Sequence, residues 1–420
     1  MPNKYYLIVS LAIIFFIGSY SIFNAGYEET IEEDLKNKQE ETIIESSPKE
    51  NEKIKKDSES DMQQEGDGEE MNIKKKNDKP LTNLVKEISP HPESKVKCTH
   101  KIEGIPSPQA IEYHPDGDEF WVSSLMNKNY GLAVFDSETG ERREEINLPD
   151  GGGVEIAFNS DGSYVYVSQM ETGRIFKVDA EDKKIEDIYH TGGMWTKSVN
   201  LEEEYIFTSN WSSDDISKIN QKTGELIEKI STTRTPRGIY IDDNFLYVAG
   251  FANGEIRRHN LKTGEDESLI VTGGAMRDLV GTEKYIYSSD MASETIYRLE
   301  KETGEVEKFV ETENNPNTIR ITDDEKILIV SNRGINHQSG NYNIPGPEWG
   351  TVLFYSLEDG KLLDVVVGGN QPTGLATYDL SVVYSNFLDG DLTLCTLPSS
   401  EDFLKEQSSR VKNYKQDIEK

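Results

Sequence analysis

The sequence is poor in the residues that build metal and covalent centres. Its 420 residues include two cysteines and six histidines. Two cysteines cannot supply the three or four thiolates of a Cys-based zinc site, so that kind of site is excluded. The chain also has no Gly-x-Ser-x-Gly turn, Walker loop or His-Glu-x-x-His helix. Adjacent cysteines and a Trp-docking repeat, which would favour a quinone-cofactor dehydrogenase, are missing too.

Positive charge is also scarce. The chain has 45 Lys and Arg against 77 Asp and Glu, which gives a net charge of −32. Most of this excess lies outside the segment 27–95. Because nucleic-acid binding requires a basic surface that neutralises phosphates, nucleic acid is excluded as a partner of the main domain. Cations, cationic polymers or a polar protein remain open.

One long apolar run is present, from Tyr5 to Phe23. Its length lies between that of a signal-peptide core and that of a membrane span. We favour an uncleaved anchor over a signal removed after Ser21; a buried core helix is the third alternative. Both favoured readings place residues 1–26 as a targeting segment and export the rest. The protein is therefore expected at the cell surface or in the periplasm, with residues 5–23 as its contact with the membrane.

Residues 27–95 are rich in Glu, Lys, Asp, Ser, Gln and Asn and have scarcely an aromatic residue. Such a segment cannot bury enough apolar surface to offset the entropy of ordering it. We therefore expect a disordered charged linker. It is either a plain solvated spacer or a tether that lifts the following domain off a membrane.

The remainder of the chain contains a repeated phrase: an aromatic or β-branched residue, another strand former, a small residue, then usually a small polar one. Seven copies begin at Trp121, Tyr166, Phe207, Tyr247, Tyr287, Ile329 and Val383. Their first residues are 45, 41, 40, 40, 42 and 54 positions apart. A strand-like unit repeated every 40 to 45 residues or so is typical of a β-propeller. The sequence predicts an all-β, seven-bladed propeller with four-stranded blades over 96–397.

The residues around each copy complete a four-stranded unit. A strand that begins with Pro or Gly precedes the phrase, as at Pro236 and Pro316, and a hairpin with a Thr-Gly turn often follows, as at Thr263-Gly264. Glycine supplies the positive φ that such turns need. We denote the strands a to d from the centre outward. The loops before strand a and after strand b then share one face, called the top.

The repeat resembles that of the YVTN-repeat propellers, the family that includes YncE-like periplasmic proteins and archaeal surface-layer proteins. The likeness covers roughly residues 96 to 397 and implies the seven-bladed fold. It implies little about activity, since one fold hosts many functions.

The two cysteines are predicted to form a disulfide. In the repeat frame the last blade lacks its fourth strand, and residues 96–102, before the first unit, supply it. Cys98 and Cys395 then face each other across neighbouring strands. An exported protein permits a disulfide there, which would join the two ends of the ring. Two unrelated thiols are the alternative.

Cations are predicted to converge at the top of the central channel. The residue that follows the first position of strand a is, around the ring, Gln109, Val154, Lys197, Arg237, Arg277, Asn317 and Thr373. Glu155 and Asp278 lie beside the three consecutive cations. Lys197, Arg237 and Arg277 either bind an anionic ligand, most simply a carboxylate or phosphate, or form an internal salt-bridge network that fills the channel.

Large side chains occur in the same top loops. Trp195 and Trp211 belong to the third unit, and the 54-residue step marks an inserted loop, 333–350. Long insertions on a loop-rich face are often functional. The expected contacts in this loop are Arg333, His337, Tyr342 and Trp349. Aromatic rings beside cations suit a saccharide, peptide or aromatic ligand, although each ring could instead cover its own blade.

A metal-dependent alternative also exists. Propellers resembling gluconolactonases hold a divalent cation at the top centre. The side-chain oxygens that would bind such a cation here belong to Glu155, Asn210, Asp290, Asn332 and Asn386. Calcium is thus a weak possibility, opposed by the three nearby cations. Asn210, Asn332 and Asn386 are retained among the ligand-binding candidates, and no catalytic residue is assigned.

The sequence favours a monomeric, non-catalytic binding module that uses its top face. Its partner is an anionic small molecule, a saccharide or an envelope protein. A lactonase-type hydrolase and a structural envelope component are the alternatives. His114, in a bottom turn, is interpreted as structural. The tail 398–420 is expected to fray, with a short helix led by Ser400 as the alternative.

Overall fold

The computed structural model describes residues 84–125 and 131–420. Strands in these residues form seven antiparallel sheets. The inner strand of each sheet contacts the inner strand of the next, and the last contacts the first. The predicted seven-bladed propeller is therefore confirmed. Residues 1–26 and most of the expected linker lie outside the described residues, and no helix within the described ranges has the length and apolar character needed to span a bilayer.

Each blade runs from an inner strand to an outer one. Blade 1 contains β3 (Pro108–Tyr113), β4 (Glu119–Ser124), β5 (Leu132–Asp136) and β6 (Arg142–Ile146). Blade 2 contains β7 (Ile156–Phe158), β8 (Tyr164–Gln169), β9 (Arg174–Asp179) and β10 (Lys184–His190). Blade 3 contains β11 (Thr196–Glu202), β12 (Tyr205–Asn210), β13 (Asp215–Asn220) and β14 (Leu226–Ser231). Blade 4 contains β15 (Pro236–Asp242), β16 (Phe245–Gly250), β17 (Glu255–Asn260) and β18 (Asp266–Val271).

The remaining blades follow the same order. Blade 5 contains β19 (Met276–Gly281), β20 (Tyr285–Asp290), β21 (Thr295–Glu300) and β22 (Val306–Glu311). Blade 6 contains β23 (Pro316–Ile321), β24 (Ile327–Asn332), β25 (Thr351–Ser356) and β26 (Leu362–Val367). Blade 7 contains β27 (Pro372–Tyr378), β28 (Ser381–Asn386) and β29 (Asp391–Thr396), completed on the outside by β2 (Lys97–Glu103) and β1 (Val85–Glu87).

The repeated phrase forms the second strand of every blade, and its alternation explains the core. Aromatic and β-branched side chains fit a pleated surface that is covered on both sides. The ring that begins the phrase is buried between blades, as Trp121, Phe207 and Tyr247 show. Apolar clusters of this kind join neighbouring blades around the ring, so the blades stabilise one another.

The small residue of the phrase connects neighbouring blades. In six blades it is a serine whose hydroxyl reaches the inner strand of the next blade: Ser123 to Val154 O, Ser168 to Lys197 O, Ser209 to Arg237 O, Ser289 to Asn317 O, Ser331 to Thr373 O and Ser385 to Pro108 O, at 2.5 to 3.4 Å. In blade 4 the residue is Ala249. There Gly238 instead brings the inner strand close to the neighbouring backbone, since a Cβ at Gly238 would lie 2.9 Å from the Arg277 carbonyl oxygen.

Blade 7 is closed by both ends of the described chain. Strand β2 pairs with β29, and Cys98 lies directly opposite Cys395, to which it is disulfide-bonded. The predicted disulfide is therefore present. The expectation that the linker extends to residue 95 is wrong, because Val85–Glu87 pairs with β2. This added strand covers the edge that β2 would otherwise expose.

The tail does not fray, contrary to our expectation. It contains α1 (Ser400–Lys405), a 3₁₀ helix (Ser409–Lys412) and α2 (Lys415–Ile418). Ser399 rather than Ser400 caps α1 by accepting a hydrogen bond from Asp402 N. Phe403 is buried against Phe354 of blade 6. Burial of apolar side chains against the blade offsets the entropy of ordering the tail.

One buried carboxylate ties these terminal segments together. Asp364, in β26, accepts hydrogen bonds from Ser94 Oγ, Lys95 N and Val96 N through Oδ2. Its Oδ1 accepts from Ser408 Oγ in the tail. The segment before β2 and the tail are thereby attached to the same outer strand of blade 6.

A serine pair in β20 tests the connection between blades. We expect Ser289→Ala to lower the free energy of unfolding by about 1–2 kcal/mol, because it removes the donor to a buried carbonyl of blade 6. The adjacent Ser288 is equally buried but contacts only a sulfur, Met276 Sδ, at 3.3 Å. Sulfur is a weak acceptor, so Ser288→Ala should cost less than half as much. Urea unfolding measures both; equal losses would contradict the bridging role.

Removal of the disulfide should loosen the closure of the ring. The bond spans 297 residues of sequence, so a Cys98→Ala/Cys395→Ala variant should lose stability, by about 6 kcal/mol at most in the chain-entropy model. Urea unfolding with and without dithiothreitol is the measurement. The reductant should destabilise the natural protein and leave the variant unchanged; no effect on the natural protein would show that strand pairing alone closes the ring.

Candidate ligand-binding site at the channel mouth

The predicted cations do converge, and they form an arc around the top of the channel. Lys197, Arg237 and Arg277 lie near the starts of β11, β15 and β19. Arg333 extends the arc from the loop after β24. The cations lie close enough to repel one another: Arg237 and Arg277 repel Lys197, and Arg333 repels Arg277.

Part of this charge is neutralised inside the channel. Arg237 lies 3.6 Å from Glu155. Below it, Asp278 accepts from the Ile319 backbone at 3.0 Å and pairs with Arg320 at 3.3 Å. The cavity lined by Glu155, Arg237, Arg277, Asp278 and Thr318 has about 10 Å³ of free volume, which is room for about one water molecule. For Arg237, the alternative of an internal salt bridge that fills the channel is therefore correct.

The other three cations have no carboxylate within 4 Å in the described residues. Lys197 Nζ contacts Met170 Sδ at 2.6 Å and lies between two indole rings. Arg277 donates through Nε to Asn317 Oδ1, and Nδ2 of that fully buried amide has no hydrogen-bond partner. Arg333 donates to Gln371 Oε1, and Arg333 Nε is buried without a partner. Positive charge at the mouth is thus in excess.

The pKa shifts show that this excess charge is costly. Burial, followed by repulsion from Arg237 and Arg277, lowers the pKa of Lys197 well below its ordinary value. Burial, with Arg237 and Arg333 adding to it, lowers the pKa of Arg277 well below its ordinary value. Burial also lowers the pKa of Arg333. A bound anion would relieve all three effects, because an opposite charge favours the charged form.

Deeper in the channel lies a carboxylate with a raised pKa. Glu112, in β3, faces Arg320 across the axis at 3.9 Å. Its side chain keeps 38% exposure, so water in the channel reaches it. The surrounding protein nevertheless raises the pKa of Glu112 to about 7, mainly by desolvation and against the attraction of Arg320. Burial raises the pKa of Glu155 as well.

An aromatic cluster adjoins the cations on the side of blades 3 and 4. Lys197 Nζ lies 5.3 Å from the Trp195 ring centroid and 5.5 Å from that of Trp211. Trp211 packs on Phe251 at 4.8 Å. All three rings are half-buried, and Met194 beside them is 54% exposed. We call Met194, Trp195, Trp211 and Phe251 the aromatic platform.

Trp195 occupies an unusual backbone conformation that fixes its ring. The residue before an inner strand has positive φ in several blades, namely Ser107, Trp195, Thr235, Asn315 and Gln371. A bulky residue in this region costs free energy and marks a position that the surrounding structure enforces. Here Trp211 N donates to Trp195 O at 3.1 Å, and Ser212 N donates to Met194 O at 3.1 Å. The platform is therefore held by two loops bonded to each other.

Only part of the inserted loop reaches the mouth. Tyr342 lies over the Arg333 guanidinium at 4.9 Å, and its carbonyl accepts from Gln371 Nε2. His337 is bonded locally to Ser339 Oγ. Trp349 faces the tail instead, since its ring lies 4.4 Å from Lys420 Nζ and its backbone N–H donates to Ile418 O. The loop therefore contributes Arg333 and Tyr342.

The side-chain amides expected at the site serve the blades instead. Asn210 is fully buried, accepts from Thr196 Oγ1 and donates to Asp215 and Ser217. Asn386 bonds to Gly369 N and Asp391 in the same way, while Asn332 is buried and donates to Val330 O. Asp290 accepts from Thr272 and three backbone N–H groups. The side-chain oxygens of Asn210, Asp290 and Asn386 thus bind loops within their own blades, so they do not form the expected calcium set with Glu155. Asn332 Oδ1 is buried and accepts no hydrogen bond from the described residues.

A carboxylate–histidine cluster occurs on the bottom face. His114, Asp116 and Asp118 place ligand atoms within 4.8 Å of one another. Both nitrogens of His114 are engaged, with Asp116 and with the Gly162 carbonyl at 3.0 Å. This pattern supports the structural interpretation of His114.

The larger cavity lies away from the axis. About 360 Å³ opens between blades 6 and 7, against Val365, Val366, Tyr384 and the Cys98 end of β2. Its two strong cations are already paired, Lys101 with Asp391 at 2.8 Å and Arg410 with Asp417. The volume of this cavity favours it as a ligand-binding site, whereas the unpaired cations favour the channel mouth. We give charge the greater weight, because an uncompensated buried cation is far more costly than empty apolar space.

Sequence reasoning missed Glu112, Arg320 and Met170. The first two stand four residues after Pro108 and Pro316, the residues that begin β3 and β23. A search for charged residues four positions after the start of each inner strand would have found them. Met170 directly follows β8, and no sequence signal connects it with Lys197.

Comparisons with known proteins support the fold and little more. No family model matches the chain, so the YVTN-repeat resemblance stays a prediction. Antigen Lp49 of Leptospira interrogans serogroup Icterohaemorrhagiae serovar copenhageni (strain Fiocruz L1-130) is 31% identical over 282 residues, covering 62% of this chain and 61% of the antigen. The chain thus spans about three fifths of the length of the curated relative it matches. A chain of Kuenenia stuttgartiensis hydrazine synthase aligns with a TM-score of 0.59 and 17% identity, covering 70% of this chain and 96% of that chain; this likeness shows the fold alone.

The raised pKa of Glu112 predicts a pH-dependent contribution to stability. Its pKa is about 7 in the folded protein against 4.5 for a free glutamate. The contribution is therefore fully present below about pH 4.5 and is lost as pH rises through 7. Relative to the natural protein, Glu112→Gln should gain stability between pH 5 and pH 8. Urea unfolding at both values is the measurement, and Glu302→Gln in an exposed turn is the control. Parallel pH profiles for the natural protein and Glu112→Gln would contradict the assignment.

Proposed function

We propose that this protein is a non-catalytic binding module whose channel mouth holds the anionic group of a ligand. The observation that supports this most strongly is the excess of positive charge at the mouth. Lys197, Arg277 and Arg333 face one opening, and no carboxylate of the described residues lies within 4 Å of them. In a chain of net charge −32, unpaired cations are costly to keep unless they serve a ligand.

The geometry limits what the mouth accepts. With about 10 Å³ free below the arc, a whole ligand does not enter the channel. A carboxylate or phosphate group resting on the arc, above the Arg237–Glu155 pair, receives charge-assisted hydrogen bonds from the cations. The rest of the ligand stays on the top face, where a small molecule, a saccharide or an envelope protein has room.

A binding role accounts for the arrangement better than hydrolysis. A lactonase-type enzyme needs converging oxygens for a divalent cation. Asn210, Asp290 and Asn386 are instead bonded inside their blades. We therefore assign no catalytic residue and no cofactor, and we propose that the protein acts as a monomer.

The proposed location is outside the cytoplasm. The apolar run 5–23 and the disulfide support export followed by membrane tethering. The similar Leptospira protein is named an antigen, which is compatible with exposure at a cell surface. This part of the proposal is tested by fractionation of cells and by protease accessibility of the intact surface.

Anion binding is tested by calorimetry with phosphate and acetate in low-chloride buffer. We expect millimolar or tighter binding by the natural protein and at least a tenfold loss in an Arg277→Gln variant. Arg277 forms no direct ion pair within the described residues, and Glu155 and Asp278 act on it only from a longer distance. Each tenfold change corresponds to about 1.4 kcal/mol. The affinity should also fall as salt is added.

Arg298→Gln is the matched control. Arg298 is bonded to Glu307 on the outer strands of blade 5 and lies over the Phe309 ring, so it should leave anion affinity unchanged. Equal losses in the two variants, or no binding of either anion by the natural protein, would refute the proposal.

A further inference from the structure

The mouth and the aromatic platform meet at one residue, Lys197. Its ammonium group lies between the rings of Trp195 and Trp211 while belonging to the cation arc. A carboxylate oxygen at hydrogen-bond distance from Nζ lies about 2.8 Å from it. Any group attached to that carboxylate by one or two bonds therefore reaches the platform.

The platform is apolar rather than polar. Met170 Sδ contacts Lys197 Nζ, and the exposed Met194 directly precedes Trp195 in the chain. Asn210, the nearby amide, spends both its oxygen and its nitrogen inside blade 3. Asp214 Oδ1, in the loop that follows, accepts from Thr235 N at 2.7 Å. A sugar would find ring faces here and, beside them, the exposed hydroxyls of Ser212 and Ser213, the latter already accepting from Met194 N at 3.3 Å. An aromatic ring needs only the apolar surface and packs well against tryptophan and methionine.

We propose that the ligand class of this site is an aryl acid: a carboxylate joined by a short link to an aromatic ring, with the carboxylate on Lys197, Arg277 and Arg333 and the ring on the aromatic platform. This inference rests on the proposed anion-binding function and specifies its ligand. The half-buried rings and the exposed Met194 leave apolar surface that such a ring covers. Arg333 itself lies over the Tyr342 ring at 4.9 Å.

The experiment compares four probes by calorimetry: acetate, phenylacetate, benzyl alcohol and glucuronate. Phenylacetate should bind at least tenfold more tightly than acetate, because its ring gains the platform. Benzyl alcohol, which has the ring without the charge, should bind at least tenfold more weakly than phenylacetate. Glucuronate, a sugar acid, should bind no better than acetate.

Variants of the aromatic platform test whether its rings cause the tighter binding of phenylacetate. The readout is the ratio of the acetate to the phenylacetate dissociation constant, because Trp211 also touches Lys197 and its loss shifts both constants. Trp211→Ala and, independently, Phe251→Ala should bring the ratio to threefold or less. Trp349→Ala removes a tryptophan that faces the tail, and it should leave the ratio unchanged. Circular dichroism verifies folding, and either platform variant suffices if the other does not fold.

The outcomes separate this inference from the function on which it rests. Equal affinities for phenylacetate and acetate would overturn the aryl-acid assignment and leave the anion site standing. Tighter binding of glucuronate than of phenylacetate would overturn it in favour of a sugar acid. If no anion binds at all, both proposals fail.

Discussion

The arrangement depends on one hydrogen bond used again and again, from the small serine of the repeat to the inner strand of the next blade. This hydroxyl lies at the end of the second strand and reaches a carbonyl next to the channel. It therefore does two things at once. It joins blades that share no backbone ladder, and it fixes the backbone of the residues whose side chains form the mouth. Ser168 holds Lys197, and Ser209 holds Arg237.

These bonds hold the backbones of two of the like-charged residues, Lys197 and Arg237, and the close approach of Gly238 takes their place at Arg277. Repulsion among Lys197, Arg237 and Arg277 would separate them if their backbones were free. The rigid ring prevents this separation, so the repulsion has to be compensated by neighbouring groups of opposite charge. Glu155 compensates Arg237, and Asp278 and Glu112 compensate Arg320. Lys197 has aromatic rings and a sulfur beside it, and Glu171 attracts it from beyond ion-pair distance.

Much of this could be predicted from the sequence because a propeller repeats a local pattern. The aromatic residue that begins each phrase predicts a buried second strand, and the spacing of the copies predicts seven blades. The repeat frame also paired Cys98 with Cys395, since a missing outer strand can be recognised by counting strands. The convergence of Lys197, Arg237 and Arg277 followed from their common position in that frame.

Other features were beyond local reasoning. Asn210, Asn332 and Asn386 share one position of the repeat and were assigned to the ligand, but that position faces the blade interior. There the amides of Asn210 and Asn386 bond to a neighbouring loop, and Asn332 donates to Val330 O of its own strand. The tail has a charged sequence that is typical of a disordered end, and it is ordered because Phe403 is buried against apolar residues of blade 6. The division of cations into paired and unpaired ones depended on Glu112 and Arg320, whose blades are not adjacent in the ring.

By itself, the sequence determined the fold, the number of blades, the closure of the ring and the face that carries the cations. Each of these follows from periodicity, which survives without knowledge of any contact. Only the tertiary structure decided which cations remain unpaired and that tryptophans flank one of them. Those facts depend on distances across the channel and between loops of different blades, and the order of residues along the chain does not specify such distances.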